Sequence, residues 1–360
     1  MPTLFDRIKL GDIELNNRIV MAPLTRCRAE DRIPNALMAQ YYAQRASAGL
    51  ILSEAVSVTP MGVGYPDTPG IWSEEQVAAW SEITKAIHDA GGKIFMQLWH
   101  VGRISHPRYL DGKAPVAPSA IAARGHVSLV RPKEPYPVPR ALETEEVAEV
   151  VEAYRKGAEN AKRAGFDGVH VHGANGYLLD QFLQSTTNKR TDRYGGSREN
   201  RARLLLEVVD AAIGVFGAGR VGVHLAPRAD AGEDGHVAHD MGDDNLVETF
   251  RYVARELGQR KIAFISTREK EGPDSIGPLL KQEFGGVHIA GELFTKESAQ
   301  ASLDAGNADA VAFGIPFIAN PDLPARFKVN AELNTPRPEY YYVRGPVGYI
   351  DYPTLEEATA

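Results

Sequence analysis

The sequence holds one cysteine, Cys27, in 360 residues. A single thiol excludes an intrachain disulfide and any cysteine-rich metal centre. Basic residues are not in excess: 40 Lys and Arg stand against 47 Asp and Glu, a net charge of −7. Nucleic-acid binders normally present a basic face, so that class is set aside. No apolar run approaches the ~18 residues that would suggest a membrane span. The opening Met1-Pro2-Thr3-Leu4-Phe5-Asp6 lacks the basic, apolar, small-residue order of a secretory signal. Short-period repeats, low-complexity tracts and evident linkers are also missing. The expectation is a cytoplasmic globular protein, 43% hydrophobic and 24% charged. Its length permits two domains or one large α/β barrel.

What is present is alternation. Short apolar runs at Ile19–Ala22, Leu50–Ala55, Ile94–Leu98, Gly168–His172, Arg220–Leu225, Ala263–Ser266, Val287–Ala290 and Ala310–Phe313 read as strands. Most are followed by an amphipathic helical segment, the mark of βαβ units and a parallel sheet. Eight units suit a (β/α)8 TIM barrel over residues 1–360, with a doubly wound sheet as the alternative. The helix before the fourth strand is the clearest: Thr144 is placed to cap it, Val147, Val150, Tyr154, Ala158 and Ala161 share a face, and Gly165 stops it. Ser197 is placed to cap the next helix. The Pro- and Gly-rich stretch from Ile104 to about Ala141 is too long for a simple connection and reads as a lid-like excursion. A second loop is expected at Arg228–Asp244.

The chemistry concentrates between Ala164 and Phe182. A short strand there spills His172, Asn175 and Tyr177 into a loop. Strand ends fix position in α/β enzymes while loops supply chemistry. His and Asn donate hydrogen bonds to a developing negative oxygen, and Tyr can deliver a proton. His170 shares the inward face with His172 but sits deeper, as a satisfied core histidine. Gln97 offers an amide to the edge of a heteroaromatic ring, and Trp99 can wall an aromatic pocket. Other patterns are bland. Gly217–Gly222 matches G-x-G-x-x-G but precedes a strand, so it is a turn. His236, His239 and Asp240 lie in a loop without a supporting cluster, so no metal site is expected. Cys27 reads as a buried structural thiol.

Several segments together resemble the old yellow enzyme family of flavin-dependent ene-reductases. They are Met21–Arg26 (MAPLTR), Tyr41–Ala46 (YYAQRA), Gln97–Arg103 (QLWHVGR), His172–Leu178 (HGANGYL), Asn188–Gly196 (NKRTDRYGG), Asp309–Gly314 (DAVAFG), Ala319–Leu323 (ANPDL) and Gly348–Pro353 (GYIDYP). The resemblance covers nearly the whole chain and is nearest to the bacterial xenobiotic, glycerol trinitrate and N-ethylmaleimide reductases. It implies FMN, held tightly but without a covalent link at the C-terminal face of the barrel, with NADPH or NADH as reductant. The implied cofactor residues are Pro23, Leu24, Thr25, Ala55, Gln97, His172, His224, Gly291, Phe313, Gly314 and Ile315. Tyr65, Trp99 and Tyr349, with His172 and Asn175, would line the substrate cavity, and Tyr177 would be the proton donor. The implied reaction reduces the C=C bond of enones, maleimides and nitroalkenes, and extends to nitrate esters and nitroaromatics. The protein would act as a monomer or small homo-oligomer.

Two positions depart from the family pattern. His224 and Ile315 stand where many relatives carry cations near the flavin ring and its phosphate. The expectation is a weaker hold on FMN than is usual, with Arg228 as a candidate substitute. Two other readings stay open: a flavin- or ligand-binding barrel with little turnover, and a barrel lyase or isomerase without flavin.

Overall fold

Two glycines make room for two phenylalanines at the centre of the molecule. Phe95 and Phe264 meet with ring centroids 5.8 Å apart. A Cβ on Gly168 would come 2.4 Å from the Phe95 ring, and one on Gly222 would come 2.2 Å from that of Phe264. Alternating large and small inward residues is how a small barrel fills its interior.

The computed structural model describes residues 1–228, 239 and 241–359. Eight parallel strands close into the barrel in sequence order. They are β1 (Ile19–Met21), β2 (Leu50–Ser57), β3 (Ile94–Trp99), β4 (Gly168–Gly173), β5 (Val221–Leu225), β6 (Phe264–Arg268), β7 (Val287–Gly291) and β8 (Ala310–Phe313). All eight fall within a residue or two of the expected runs; the (β/α)8 fold is observed and the doubly wound sheet is not. β8 pairs with β1 through Val311↔Ile19 and Phe313↔Met21, which closes the ring. Helices α1 (Ala36–Ala43), α2 (Glu74–Asp89), α3 (Thr144–Arg163), α4 (Leu178–Leu183), α5 (Arg198–Phe216), α6 (Leu246–Gln259), α7 (Gly277–Phe284) and α8 (Lys296–Asp304) follow the strands, with two short helices, Ile315–Ala319 and Leu323–Val329, after β8.

The N-terminal mouth is plugged by an antiparallel hairpin, Ile8–Leu10 with Ile13–Leu15, which the sequence reading missed. Its Leu10, Ile13 and Leu15 pack on Val20, Leu50, Leu52, Phe95 and Phe264. Each buried apolar side chain of this kind contributes about 1.5–3 kcal/mol. With that end filled, the open C-terminal end is left for a site.

Helix α3 buries Val147, Val150, Tyr154, Ala158 and Ala161, as its spacing predicts. Its cap is corrected. Glu143 takes the N-cap position, where its N–H donates to Glu146 at 2.7 Å. Thr144 lies inside the first turn and donates to Asp192 at 2.5 Å. Ser197 does cap α5, accepting from Asn200 N–H at 3.3 Å. Gly217 (φ 81°) turns the chain into a 3-10 turn before β5. In the excursion after β3, Val116–Ala117 pairs with Arg140–Ala141. Most of the loop expected at Arg228–Asp244 lies outside the described residues.

Candidate active site

The chain leaves β4 and turns back through Asn175 (φ 58°) and Gly176 (φ 77°), both left-handed. Asn enters that region more readily than most residues and Gly does so freely. The turn is pinned from below. Gly176 N–H donates to Asp180 at 2.8 Å, Gln181 donates to Gly176 O at 2.7 Å, and Leu178 N–H donates to His100 O at 3.0 Å. Asp180 is buried, and burial pushes its carboxyl up to about 7. Tyr177 stands at the N-cap of α4, so its ring projects from a fixed point.

A cavity of about 940 Å³ opens at the C-terminal ends of the strands. That is the upper end of the ~300–1,000 Å³ usual for ligand sites. Pro23, Leu24, Thr25, Ala55, Tyr65, Gln97, Trp99, His172, Asn175, Tyr177, His224, Gly291, Phe313, Gly314 and Ile315 all line it. Among the walls that went unread in the sequence are Ser266 and Arg268 of β6, Glu292 after β7, and Tyr341 and Tyr342. For Ser266 and Arg268 a signal existed, since alternate residues of β6 must face inward with Phe264.

Tyr65 and Trp99 stack with centroids 5.5 Å apart and planes at 27°. Tyr177 meets Trp99 edge-on at 5.0 Å and His172 edge-on at 5.0 Å. The Tyr65 and Tyr177 hydroxyls lie 2.9 Å apart. Burial raises the Tyr177 phenol above its ordinary range, which keeps its proton in place. Burial likewise pushes the His172 imidazole well below its usual value, and the nearby His224 and Arg268 act in the same direction. His172 Nδ1 is buried with no hydrogen-bond partner among the described residues. An unpaired buried nitrogen costs about 1–3 kcal/mol, so a ligand that completes it is favoured. The Asn175 side-chain oxygen accepts from Arg268 at 3.4 Å, and its backbone oxygen meets His239 Nδ1 at 2.7 Å.

Two expectations are corrected. Tyr349 does not line the cavity. It is wholly buried, stacked on Tyr41 at 4.1 Å and 7°, with the Arg26 and Arg28 guanidinium groups 5.0 and 4.6 Å from its ring centre. Those arginines, with Arg45, donate to backbone carbonyls of the 340–349 segment, which binds Tyr349 behind the wall. Tyr341 and Tyr342 of that segment face the cavity instead. Arg228 is also no substitute phosphate ligand: it donates to Glu269 at 2.7 Å and to Lys270 O, and does not line the cavity. His236 and Asp240 lie outside the described residues, among which no group of three metal-ligating side chains occurs. Cys27 is buried, and burial pushes its thiol up to about 12.

Comparison with known proteins identifies the family. The model of the NADH:flavin oxidoreductase / NADH oxidase family matches residues 3–334. The chain belongs to this family. It is 43% identical over 359 residues to a probable flavin mononucleotide-dependent alkene reductase of Leishmania infantum, covering 96% of each chain. It is 40% identical to 12-oxophytodienoate reductase 1 of Oryza sativa subsp. japonica, covering 97% of this chain and 92% of that one. Among solved structures, the old yellow enzyme homologue from Zymomonas mobilis superposes with a TM-score of 0.94 at 45% identity, covering 98% of this chain and all of the other. Morphinone reductase in complex with tetrahydroNAD gives 0.94 at 47% identity, covering 100% and 99%. As a family member the protein is an FMN-dependent, NAD(P)H-using oxidoreductase of the old yellow enzyme type that reduces activated alkenes.

The site fits a flavin unevenly. At the floor and walls, Thr25, Gln97, His224 and the unpartnered His172 nitrogen supply the polar contacts a flavin ring system needs. Beyond β7 and β8, the wall includes Ile315 and Glu292, with Leu293, Phe294 and Pro316. Glu292 has φ 110° and its carboxylate accepts from Arg268 Nε at 2.5 Å. An apolar and an acidic side chain supply none of the charge-assisted bonds that hold a phosphate most firmly. Backbone at Gly291 and Gly314 remains.

No described helix is long and apolar enough to cross a membrane.

Proposed function

We propose that His172, Asn175 and Tyr177 carry the reduction of an electron-poor C=C bond in this cavity. The observation behind this is the buried His172 Nδ1 left without a partner beside a phenol that burial keeps protonated. When bound, FMN supplies hydride received from NADPH or NADH. The protein's part is to orient and to move one proton. His172 and Asn175 donate to the carbonyl or nitro oxygen of the substrate, where negative charge develops. Tyr177 Oη delivers a proton to the α-carbon, and Tyr65, 2.9 Å away, holds that hydroxyl in place. Trp99 and Tyr65 exclude water from one side. Thr25, Gln97 and His224 would hold the ring of the cofactor, with Pro23, Leu24, Ala55, Phe313 and Gly314 around it and Gly291 and Ile315 toward its phosphate; all of them line the cavity.

The substrates we infer are small activated alkenes (enones, maleimides and nitroalkenes), with nitrate esters and nitroaromatics as secondary ones. The whole chain forms one barrel domain in this reading, working in the cytoplasm as a monomer or small homo-oligomer. The 104–141 excursion serves as its lid: Val127, Val130 and Tyr136 pack with Trp99, Tyr65 and Tyr177. The deciding experiment is the visible spectrum of the purified protein under anaerobic conditions. Bleaching of a yellow protein by NADPH, and recovery on adding 2-cyclohexenone, supports the reading. A protein that stays colourless after incubation with FMN defeats it.

A further inference from the structure

The barrel floor carries a chain of hydrogen bonds whose middle members, His170 and Ser266, have no part in the reaction above. Gln97 Nε2 lies 3.2 Å from His170 Nδ1. His170 Nε2 lies 2.8 Å from Ser266 Oγ. The same Oγ lies 2.9 Å from His224 Nδ1. Strand register builds this line, because Gln97 pairs with His170 across β3 and β4, and Ser266 pairs with His224 across β5 and β6. All four side chains are buried.

The direction of the chain follows from counting protons. Burial holds both imidazoles neutral, so each ring has one N–H and one acceptor nitrogen. The Gln97 amide N–H₂ can only donate, so His170 Nδ1 accepts and its proton sits on Nε2. That N–H donates to Ser266 Oγ. The hydroxyl has one proton, and among the described residues its oxygen meets no partner but these two rings, so that proton goes on to His224 Nδ1. His224 therefore carries its own proton on Nε2. The reverse direction would set a His170 Nδ1–H against the Gln97 amide donor, two donors with no acceptor between them. Nε2 of His224 has no hydrogen-bond partner among the described residues, and the ring lines the cavity.

We propose that His170 and Ser266 are positioning residues that lock His224 as its Nε2–H tautomer, so that the floor presents a neutral donor beside the Gln97 carbonyl acceptor. A donor next to an acceptor complements an imide edge, a carbonyl beside an N–H, and the flavin pyrimidine carries such an edge. The identity of the ligand rests on the flavin reading above; the tautomer does not. The groups that face His224 are His170, His172, Ser266 and the more distant Arg268, none of them an acid; the Ser266 backbone carbonyl favours the charged ring, but burial, with Arg268, outweighs it.

The test is a long-range ¹H–¹⁵N correlation of histidine-labelled protein, with and without FMN. His224→Gln identifies the His224 signals. We expect wild-type His224 to be protonated on Nε2 in both samples. Ser266→Ala should yield a mixture of tautomers and bind FMN roughly three- to tenfold more weakly by fluorescence quenching, the loss typical of one hydrogen bond. Ser266→Thr keeps the hydroxyl and should restore both readings. A wild-type His224 protonated on Nδ1 overturns the proposal, as does a Ser266→Ala protein with an unchanged tautomer. Wild-type protein that takes up no FMN removes the ligand named here and the flavin reading together, while the apoprotein spectrum still decides the tautomer.

Discussion

The hydroxyl of Tyr65 stands 2.9 Å from that of Tyr177, joining a residue of the β2 connection to one of the β4 connection. One phenol can donate to the other and leave the second proton free for a ligand. This pairing gives the Tyr177 proton a fixed starting point, and the first prediction follows from it.

Tyr177→Phe should slow reoxidation by an enone by ~10²–10⁴, the usual contribution of a positioned acid. Bleaching by NADPH should be unchanged. Stopped-flow traces of the two half-reactions check this directly. Because burial raises the phenol, wild-type reoxidation should hold its rate up to the ordinary tyrosine range instead of falling near it. Equal slowing of both half-reactions would remove Tyr177 from the proton-donor role.

His172→Ala should lower kcat/KM for 2-cyclohexenone by roughly 10²–10³, as loss of an oxyanion donor does. Asn175→Asp keeps a side chain tolerant of φ 58° but exchanges the amide donor for a carboxylate, so it should be similarly impaired while folding normally. Steady-state kinetics with circular dichroism on the same samples separate chemistry from misfolding. Full activity in either variant would count against the assigned role.

Glu292 and Ile315 yield a paired prediction about the cofactor. Glu292→Gly relieves a backbone at φ 110° and removes a carboxylate from the cavity wall. Ile315→Arg adds a cation where the wall is apolar. Each should tighten FMN binding, and the double variant should discriminate more strongly between FMN and riboflavin than wild type does. Fluorescence titration with both flavins measures this. Equal gains for riboflavin would place the effect away from the phosphate.

Buried imidazoles set the response to acid. His100 and His224 are pushed down to about 3 and His288 to about 4, all by burial, and His170, His172 and His239 are lowered as well. Unfolding lets these six take up protons below their ordinary 6.5. Glu54 and Asp180, raised by burial to about 7, work the other way by releasing protons on unfolding above their ordinary values. Six against two leaves net proton uptake, so stability should be greatest above pH 6.5 and fall as the pH drops toward 4.5. Thermal melts at pH 7, 6 and 5 check the sign. A melting temperature that rises over that interval would contradict it.

The barrel was legible because each of its strands is a short apolar run between turn signals, and β3, β4 and β8 read almost residue for residue. The terminal hairpin was not: its strands are three residues each and too short to show a period. The cavity-facing set could be named from the motifs, since strand ends converge in a barrel by geometry alone. Tyr349 failed because nearness along the chain does not say which way a ring turns, and three buried arginines decided that. Alternation along β6 puts Ser266 and Arg268 on the inward face with Phe264, but what they do there depends on the register of β6 against β5, a property of two strands together.

Those arginines also bear on how the chain is made. Arg26 donates to the carbonyl of Gly348, 322 residues further on. A ribosome delivers the cation long before its acceptor exists. Until residues 340–349 emerge, Arg26 and Arg28 lack most of their carbonyl acceptors, Arg45 lacks that of Tyr349, and the part of the wall made by Tyr341 and Tyr342 does not exist. The wall that faces the ligand is therefore completed only after translation has passed the last strand, and a nascent chain still on the ribosome has a barrel in progress but no finished pocket.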